Sequence, residues 1–434
     1  MHTVFLLCLI TQSWWTSYGD PELNQIVEKA LSKNLDLESA AQRIAEARAL
    51  TGEAKSKLGP TLNATGSAQR LRGGFAQGIT RINQTPGGSF ISPFETGLLQ
   101  SGLDMKWELD LFGTNRAALA ASKADLLAEQ QKREDLAITV SAEAARYYME
   151  LRGIEERLAI TARNIAAQKQ LLTLTEDRAN AGLSSQLDIE RQSLLLANTE
   201  ATIPSLEADR TLHLNRLAVL VGDESFVKST LPAGKTLEAP SLKTEIPGDL
   251  LKRRPDVRAA EARLAAAMSR LKQARTDLYP KISLNGLMGR QGTSLSTLSF
   301  GGGNFFSLGP QLQLPIFNNG KIKSNIAASD ARVEQEKIAY RNEILTAFEE
   351  AGNAIAALQR QREREAKLSS ASQSARNALD LSMDLEKAGL KDFLTVLDAE
   401  RSLLDADYQR SIARTQVLVE SVALYKALAG GWPN

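Results

Sequence analysis

Between Ser101 and Leu111, large apolar residues alternate strictly with charged ones. Leu103, Met105, Trp107, Leu109 and Leu111 take one parity; Asp104, Lys106, Glu108 and Asp110 take the other. A period of two predicts a β-strand with one dry and one wet face. Phe306–Ile316 repeats the pattern, with Leu308, Leu312, Leu314 and Ile316 alternating with Gly309, Gln311 and Gln313. Thr61–Arg72 and Lys281–Gln291 are weaker alternating runs suited to pair with these. Between partners lie Gly73–Glu95 and Gly292–Asn304, rich in Gly, Ser, Thr and Pro, which predict long hairpin loops.

The rest of the chain reads as helix. Two Ala-rich helices are predicted over Pro21–Leu58 and Gly248–Leu278, the first with Asp20 as its N-cap and Pro21 at its first position. Pro60 and Pro280 stop them. Asn115–Asn180 contains no proline and, at about 1.5 Å per residue, would reach about 100 Å. Leu151, Leu158, Ile165, Leu172 and Ala179 fall seven apart, as in a coiled-coil seam. Leu397, Leu404, Leu418 and Tyr425 keep that period, with Ser411 as a gap. Ala181-Gly182 and Ala388-Gly389 break the long helices, glycine being the usual left-handed cap.

The two sets of elements are copies of one another. Asp36, Ala40, Arg43, Ala54, Pro60 and Gly66 match Asp256, Ala260, Arg263, Ala274, Pro280 and Gly286, each pair 220 positions apart. Ala120, Ala121, Ser122, Glu143, Leu151, Ala181, Gly182, Leu183 and Leu187 match residues 207 positions further on, including Ala388, Gly389, Leu390 and Leu394. The chain therefore divides into an N-terminal segment 1–19, a first repeat 20–220, a linking segment 221–247 and a second repeat 248–434. Each repeat is a helix, a pair of strands and a long helical hairpin.

Composition narrows the chemistry. The 434 residues carry a formal net charge of +1, which argues against a nucleic-acid partner. Cys8 is the one cysteine, and His2 and His213 are the two histidines, so a Cys/His zinc site or a Cys–His nucleophile is excluded. No metal site, cofactor motif or acid–base constellation stands out. Gly301-Gly302-Gly303 lacks the Lys-Ser/Thr of a phosphate loop. The absence of enzyme motifs points to a protein that is not an enzyme.

No run of apolar residues is long enough for a membrane-spanning helix. The stretch Val4–Ile10 lacks the basic flank and cleavage site of a signal peptide, and Leu7 before Cys8 fits a lipoprotein box poorly. An incomplete export or lipoprotein region is expected there, without Cys8 as the lipidated residue. The alternating strands suit a transmembrane β-barrel or an amphipathic sheet in a soluble domain. Four strands cannot close a barrel, and open edges are not tolerated in lipid. If these strands span a membrane, several chains must share one barrel.

Several stretches resemble the TolC-like outer-membrane efflux proteins, nearest the OprM/NodT branch. They are Trp14-Trp15 with Asp20-Pro21-Glu22-Leu23, the run Asn34 to Gly66, Trp107 to Gly113, Arg253 to Glu261 (RRPDVRAAE), Leu314-Pro315-Ile316-Phe317, and Ala388 to Arg401. Asn318 departs from the family's usual Asp. The resemblance implies an α+β membrane protein. In it, a trimeric outer-membrane β-barrel with four strands per chain continues into a long periplasmic α-helical barrel. It implies a homotrimer in the outer membrane that meets a periplasmic adaptor protein and an inner-membrane pump of the resistance-nodulation-division type. The channel would export drugs or metal ions passively. Alternatives are the exit channel of a type I protein-secretion system and a soluble coiled-coil scaffold.

Site residues follow from the same resemblance. Leu394, Asp398 and Arg401 lie along one helix face and resemble the family's periplasmic gate, with Asp188 and Arg191 similarly placed after the first turn. Gly182, Leu183, Gly389 and Leu390 are expected at hairpin tips that contact the adaptor. Asp104, Lys106, Glu108 and Asp110 are expected to face the barrel lumen.

Overall fold

A computed structural model describes residues 13–72, 80–85, 88–93, 95–228, 237–240, 253–296, 298 and 303–429. The N-terminal stretch with His2 and Cys8, Gly301-Gly302 and most of the linking segment lie outside the described residues. The chain is mostly helical with one four-stranded antiparallel sheet. It separates into two compact units, each drawing segments from both repeats. One comprises residues 1–43, 129–259 and 340–434; the other comprises 44–128 and 260–339.

The helices are α1 (Pro21–Lys33), α2 (Leu35–Ser56), α3 (Thr114–Asn180), α4 (Gln186–Glu200), α5 (Thr202–Val221), α6 (Pro255–Thr276), α7 (Lys321–Lys387) and α8 (Phe393–Ala427). The strands are β1 (Thr61–Arg72), β2 (Thr80–Thr85), β3 (Gly88–Pro93), β4 (Glu95–Leu109), β5 (Lys281–Gly292) and β6 (Gly303–Gln313). Helices α3 and α7 are both 67 residues long.

Three expectations need correction. The single helix expected over Pro21–Leu58 is two helices. Asn34 leaves helical geometry, its carbonyl oxygen Oδ1 accepts from the N–H groups of Asp36 (3.0 Å) and Leu37 (3.1 Å), and its amide donates to Leu220 O (3.1 Å). A short polar side chain that caps a new helix outcompetes continuation of the old one. The loop expected over Gly73–Glu95 contains a two-stranded hairpin, β2 with β3. The last sheet strand spans Gly303–Gln313 rather than Phe306–Ile316, because its ladder with β5 ends at the pair Lys281 and Gln313.

The second hairpin arm of the first repeat is broken at Ala201, where α4 gives way to α5. Pro204 in the first turn of α5 explains the restart: it has no N–H to donate and is tolerated only near a helix start. The equivalent α8 runs unbroken for 35 residues.

In the first unit the core joins Trp14, Trp15 and Tyr18 with α1, the middle of α3, α5 and the end of α8. Trp14 stacks on Tyr425 at 4.9 Å between ring centroids. Tyr18 and Ser421 share a hydrogen bond of 2.6 Å. Asp20 caps α1 by accepting from Glu22 N (2.9 Å), as expected, and also accepts from the Tyr148 hydroxyl (2.5 Å). Gly222, at φ +66°, ends α5 so close to Lys33 O that a Cβ would strike the carbonyl.

In the second unit Ala267, Leu271 and Val333 form a small apolar cluster between α6 and α7. Trp107 on β4 donates its indole N–H to Leu58 O at 3.0 Å, and Phe112 stacks on Tyr279 at 4.9 Å.

Candidate functional site: the sheet faces and the helix tips

The strand order is β1-β4-β5-β6, every neighbour antiparallel. Register decides which side chains share a face, because a one-residue slip would exchange the faces. Leu62 pairs with Met105, Met105 with Gly286, and Gly286 with Leu308. Ala64, Leu103, Met288 and Phe306 form the next row of the same face. Leu62, Leu103, Met288, Phe306, Leu308 and Leu312 are exposed in the single chain.

The other face is polar. Asn63 pairs with Asp104, Lys106 with Asn285, and Glu108 with Ser283, which in turn pairs with Gln311. Asn63 donates to Asp104 at 3.1 Å, and Asn285 donates to Gln311 at 2.6 Å. Leu98, Leu287 and Phe305 are apolar exceptions on this face. Asp104, Lys106 and Glu108 are thus brought together on one polar surface. Asp110 is not part of it: it lies one residue beyond β4. Its carboxylate accepts from Asn115 N (3.0 Å) and Arg116 N (2.8 Å), anchoring the start of α3, and from Arg116 Nε (3.2 Å).

The two long-helix turns share one design. Gly182 and Gly389 adopt φ of +72° and +71°, the left-handed conformation that favours glycine. The N–H of Leu183 returns to Arg178 O (2.8 Å), and that of Leu390 returns to Leu385 O (2.9 Å), each closing a helix end. Leu183 is 71% exposed and Leu390 70%, so each turn offers one large apolar side chain to its surroundings. Ser185 and Asp188 close a reciprocal capping box at the start of α4, and Asp392 caps α8 through Thr395 N.

The tips are tied together by residues that sequence reading missed. Arg178 on α3 forms an ion pair with Glu386 on α7, and its guanidinium lies 5.4 Å from the Phe393 ring centroid on α8. The AGL turns located each tip separately; nothing local in the sequence pairs them.

Of the expected gate residues, Leu394 is half-buried and Asp398 and Arg401 are exposed on α8. Arg191 is also exposed. Asp188 has a local role in the capping box, where the Ser185 hydroxyl and N–H hold its carboxyl below the usual range.

The leucine seam expected on α3 holds at Leu151, which is buried, but not beyond it. Toward the tip its most buried positions are Ile154, Thr161, Gln168 and Thr175, seven apart and mostly polar. Leu158, Ile165 and Leu172 are only half-buried. On α8 the predicted period holds: Leu397, Ser411, Leu418 and Tyr425 are buried, and Leu404 half-buried.

Comparison with known proteins agrees with this geometry. The profile of the outer membrane efflux protein family matches residues 26–223 and 246–430. The pyoverdine export outer membrane protein OpmQ of Pseudomonas aeruginosa is 33% identical, with 98% of this chain and 88% of the relative covered. Outer membrane protein OprJ of the same organism is 30% identical, covering 97% and 87%. The solved outer-membrane channel OprN superimposes with a TM-score of 0.87 at 33% identity, covering 98% of this chain and 94% of that one. The family comprises efflux channels rather than enzymes, and the place of such a protein is the outer membrane, with an extension into the periplasm. The chain belongs to the outer membrane efflux protein family.

Proposed function

We propose that three copies of this chain form a passive efflux duct across the outer membrane. The carrying observation is the sheet: a face that is apolar over the Leu62 and Phe306 rows and turns polar beyond them at Ser101, Arg290 and Asn304, an opposite polar face, and two edge strands, β1 and β6, with no neighbour among the described residues. An edge strand in hydrocarbon leaves unpaired N–H and C=O groups, so β6 of one chain must pair with β1 of the next. Three chains of four strands supply twelve, enough to leave an aqueous lumen. The apolar face then meets lipid, and Asp104, Lys106 and Glu108 meet the lumen.

The tips, on this reading, form the periplasmic end. Leu183 and Leu390 with their glycines offer an apolar contact for an adaptor protein, through which an inner-membrane pump delivers its cargo. Asp398, Arg401 and Arg191 are exposed within one chain and so are available to charged groups of the neighbouring chain. Leu394 narrows the passage. Asp188 contributes by fixing the turn before Arg191. Small molecules are the favoured cargo class, since OpmQ is named for pyoverdine export and another relative, TtgF of Pseudomonas putida, for toluene efflux. Nothing favours the type I protein-secretion exit.

The test is to express the chain behind a functional export signal and measure its mass in mild detergent. A trimer from the outer-membrane fraction that conducts ions in planar bilayers is the expected result. A monomer, or a trimer that does not conduct, would overturn the shared-barrel reading.

A further inference from the structure

The interior between the helices turns polar toward the tips, and one place in it is not balanced. Gln168 on α3 is completely buried, and neither its Nε2 nor its Oε1 has a partner. Gln192 on α4 is also completely buried; it donates to the Gln168 backbone carbonyl (3.3 Å), and its Oε1 has no partner. Glu400 on α8 is 4% exposed, and its Oε2 has no partner.

Register places the three at one level. Ser411 on α8 donates to Glu156 on α3 (3.2 Å), and Thr415 packs where a Cβ on Gly153 would be, so the two helices run antiparallel. Following α8 back from Ser411 and α3 forward from Glu156 brings Glu400 level with the Gln168 turn. Buried polar groups ordinarily find partners, and leaving them unpaired is costly.

A donor–acceptor balance explains the arrangement. With Glu400 ionised, the unpartnered acceptors are Gln168 Oε1, Gln192 Oε1 and Glu400 Oε2, against one donor group, Gln168 Nε2. A proton on Glu400 turns one acceptor into a donor and evens the count. Among the described residues no cation compensates the charge. Arg163 and Lys169 on α3, Glu190 and Arg191 on α4, Arg376 and Asp380 on α7, and Asp398 and Arg401 on α8 are all exposed. Lys169 is paired with Glu200, and Arg376 with Asp407. Burial alone pushes the Glu400 carboxyl up to about 7.

We propose that Glu400, Gln168 and Gln192 form a proton-binding site inside the helical wall near the tips, and that proton release there loosens the α3–α8 seam and favours opening. The coupling to opening rests on the duct reading; the proton site does not. An ionised Glu400 must draw in water or move outward, and either change separates the helices that carry the tips.

Two measurements on the full chain separate the parts. Infrared difference spectra of wild type minus Glu400→Gln, titrated in detergent, isolate one carboxyl. Half-loss of its protonated band near pH 7 is expected. A midpoint in the ordinary carboxylate range, near about 4.3, overturns the site. In planar bilayers, wild-type conductance is expected to rise several-fold across the same interval, while Glu400→Gln stays at the low level throughout. A pH-independent wild type, or a Glu400→Gln channel that keeps the response, overturns the coupling. Absence of conductance in both proteins at every pH overturns the duct reading, and the infrared titration still decides the site.

Discussion

Arg178 and Glu386 form an ion pair between α3 and α7, one residue from each repeat, both in the last turns before the tips. The pair is partly buried, with its side chains 31% and 18% exposed. It is the described charged link that joins the two helix tips.

Glu386→Gln should therefore loosen the tips without unfolding the chain. The loss is about 1 kcal/mol, the usual worth of such a bond. Hydrogen exchange should accelerate in both turns while the thermal midpoint barely moves. Unchanged exchange at Gly182 and Gly389 would show that the turns hold themselves.

Arg254 is a different case because it is buried. It pairs with Asp256 (2.5 Å) and Glu350 (2.6 Å) and donates to Ala427 O (3.1 Å), joining the start of α6 to α7 and the end of α8. Arg254→Met should destabilise by about 3 kcal/mol, since it leaves buried acceptors and a carboxylate unpaired. Denaturant unfolding in detergent measures this. A loss below 1 kcal/mol would show that the site relaxes around the gap.

Gly153 packs against Thr415 with no room for a Cβ. Gly153→Ala should cost about 1–3 kcal/mol through overpacking. Thr415→Ala in the same chain should recover much of that loss, because the two positions share one contact. Simple additivity in a double-mutant cycle would contradict this.

Stability should depend on pH through Glu400. Its folded value, about 7, lies above its ordinary 4.5, so the folded state holds the proton more tightly. The contribution is fully present below pH 4.5 and is lost as pH rises through about 7. Glu400→Gln should match wild type in acid and exceed it by about 3 kcal/mol in base. Parallel stability curves for the two proteins would refute the shift.

His213 gives a second pH signature. It bonds Glu150 at 3.1 Å, and that bond raises its pKa above 6.5. Burial raises the Glu150 carboxyl, but the His213 bond and Arg146 bring it below its usual value overall. The pair is therefore strongest below pH 6.5, is lost as pH rises through the raised histidine value, and is lost again in acid when Glu150 protonates. His213→Ala should cost most near pH 6 and least in base. A pH-independent cost would mean that packing on Tyr147, 5.6 Å away, carries the role instead.

The local elements were legible in the chain alone. Strict alternation in Ser101–Leu111 and the repeat offsets fixed which segments are strands and long helices, because a period of two or seven follows from backbone geometry alone. The glycines of the AGL turns and the Asp20-Pro21 start were legible for the same reason: each satisfies a local conformational demand. Tertiary structure decided what has no local signature. Asn34 caps α2 with its own Oδ1, and its amide also finds Leu220 O, 186 positions away, a contact that no neighbouring residue announces. The buried seam of α3 is Thr161, Gln168 and Thr175 rather than the adjacent leucines, because burial depends on which face the neighbouring helices cover. Arg178 meets Glu386, and Glu400 comes level with Gln168, only because the two repeats fold against each other. No pattern within either repeat encodes that meeting.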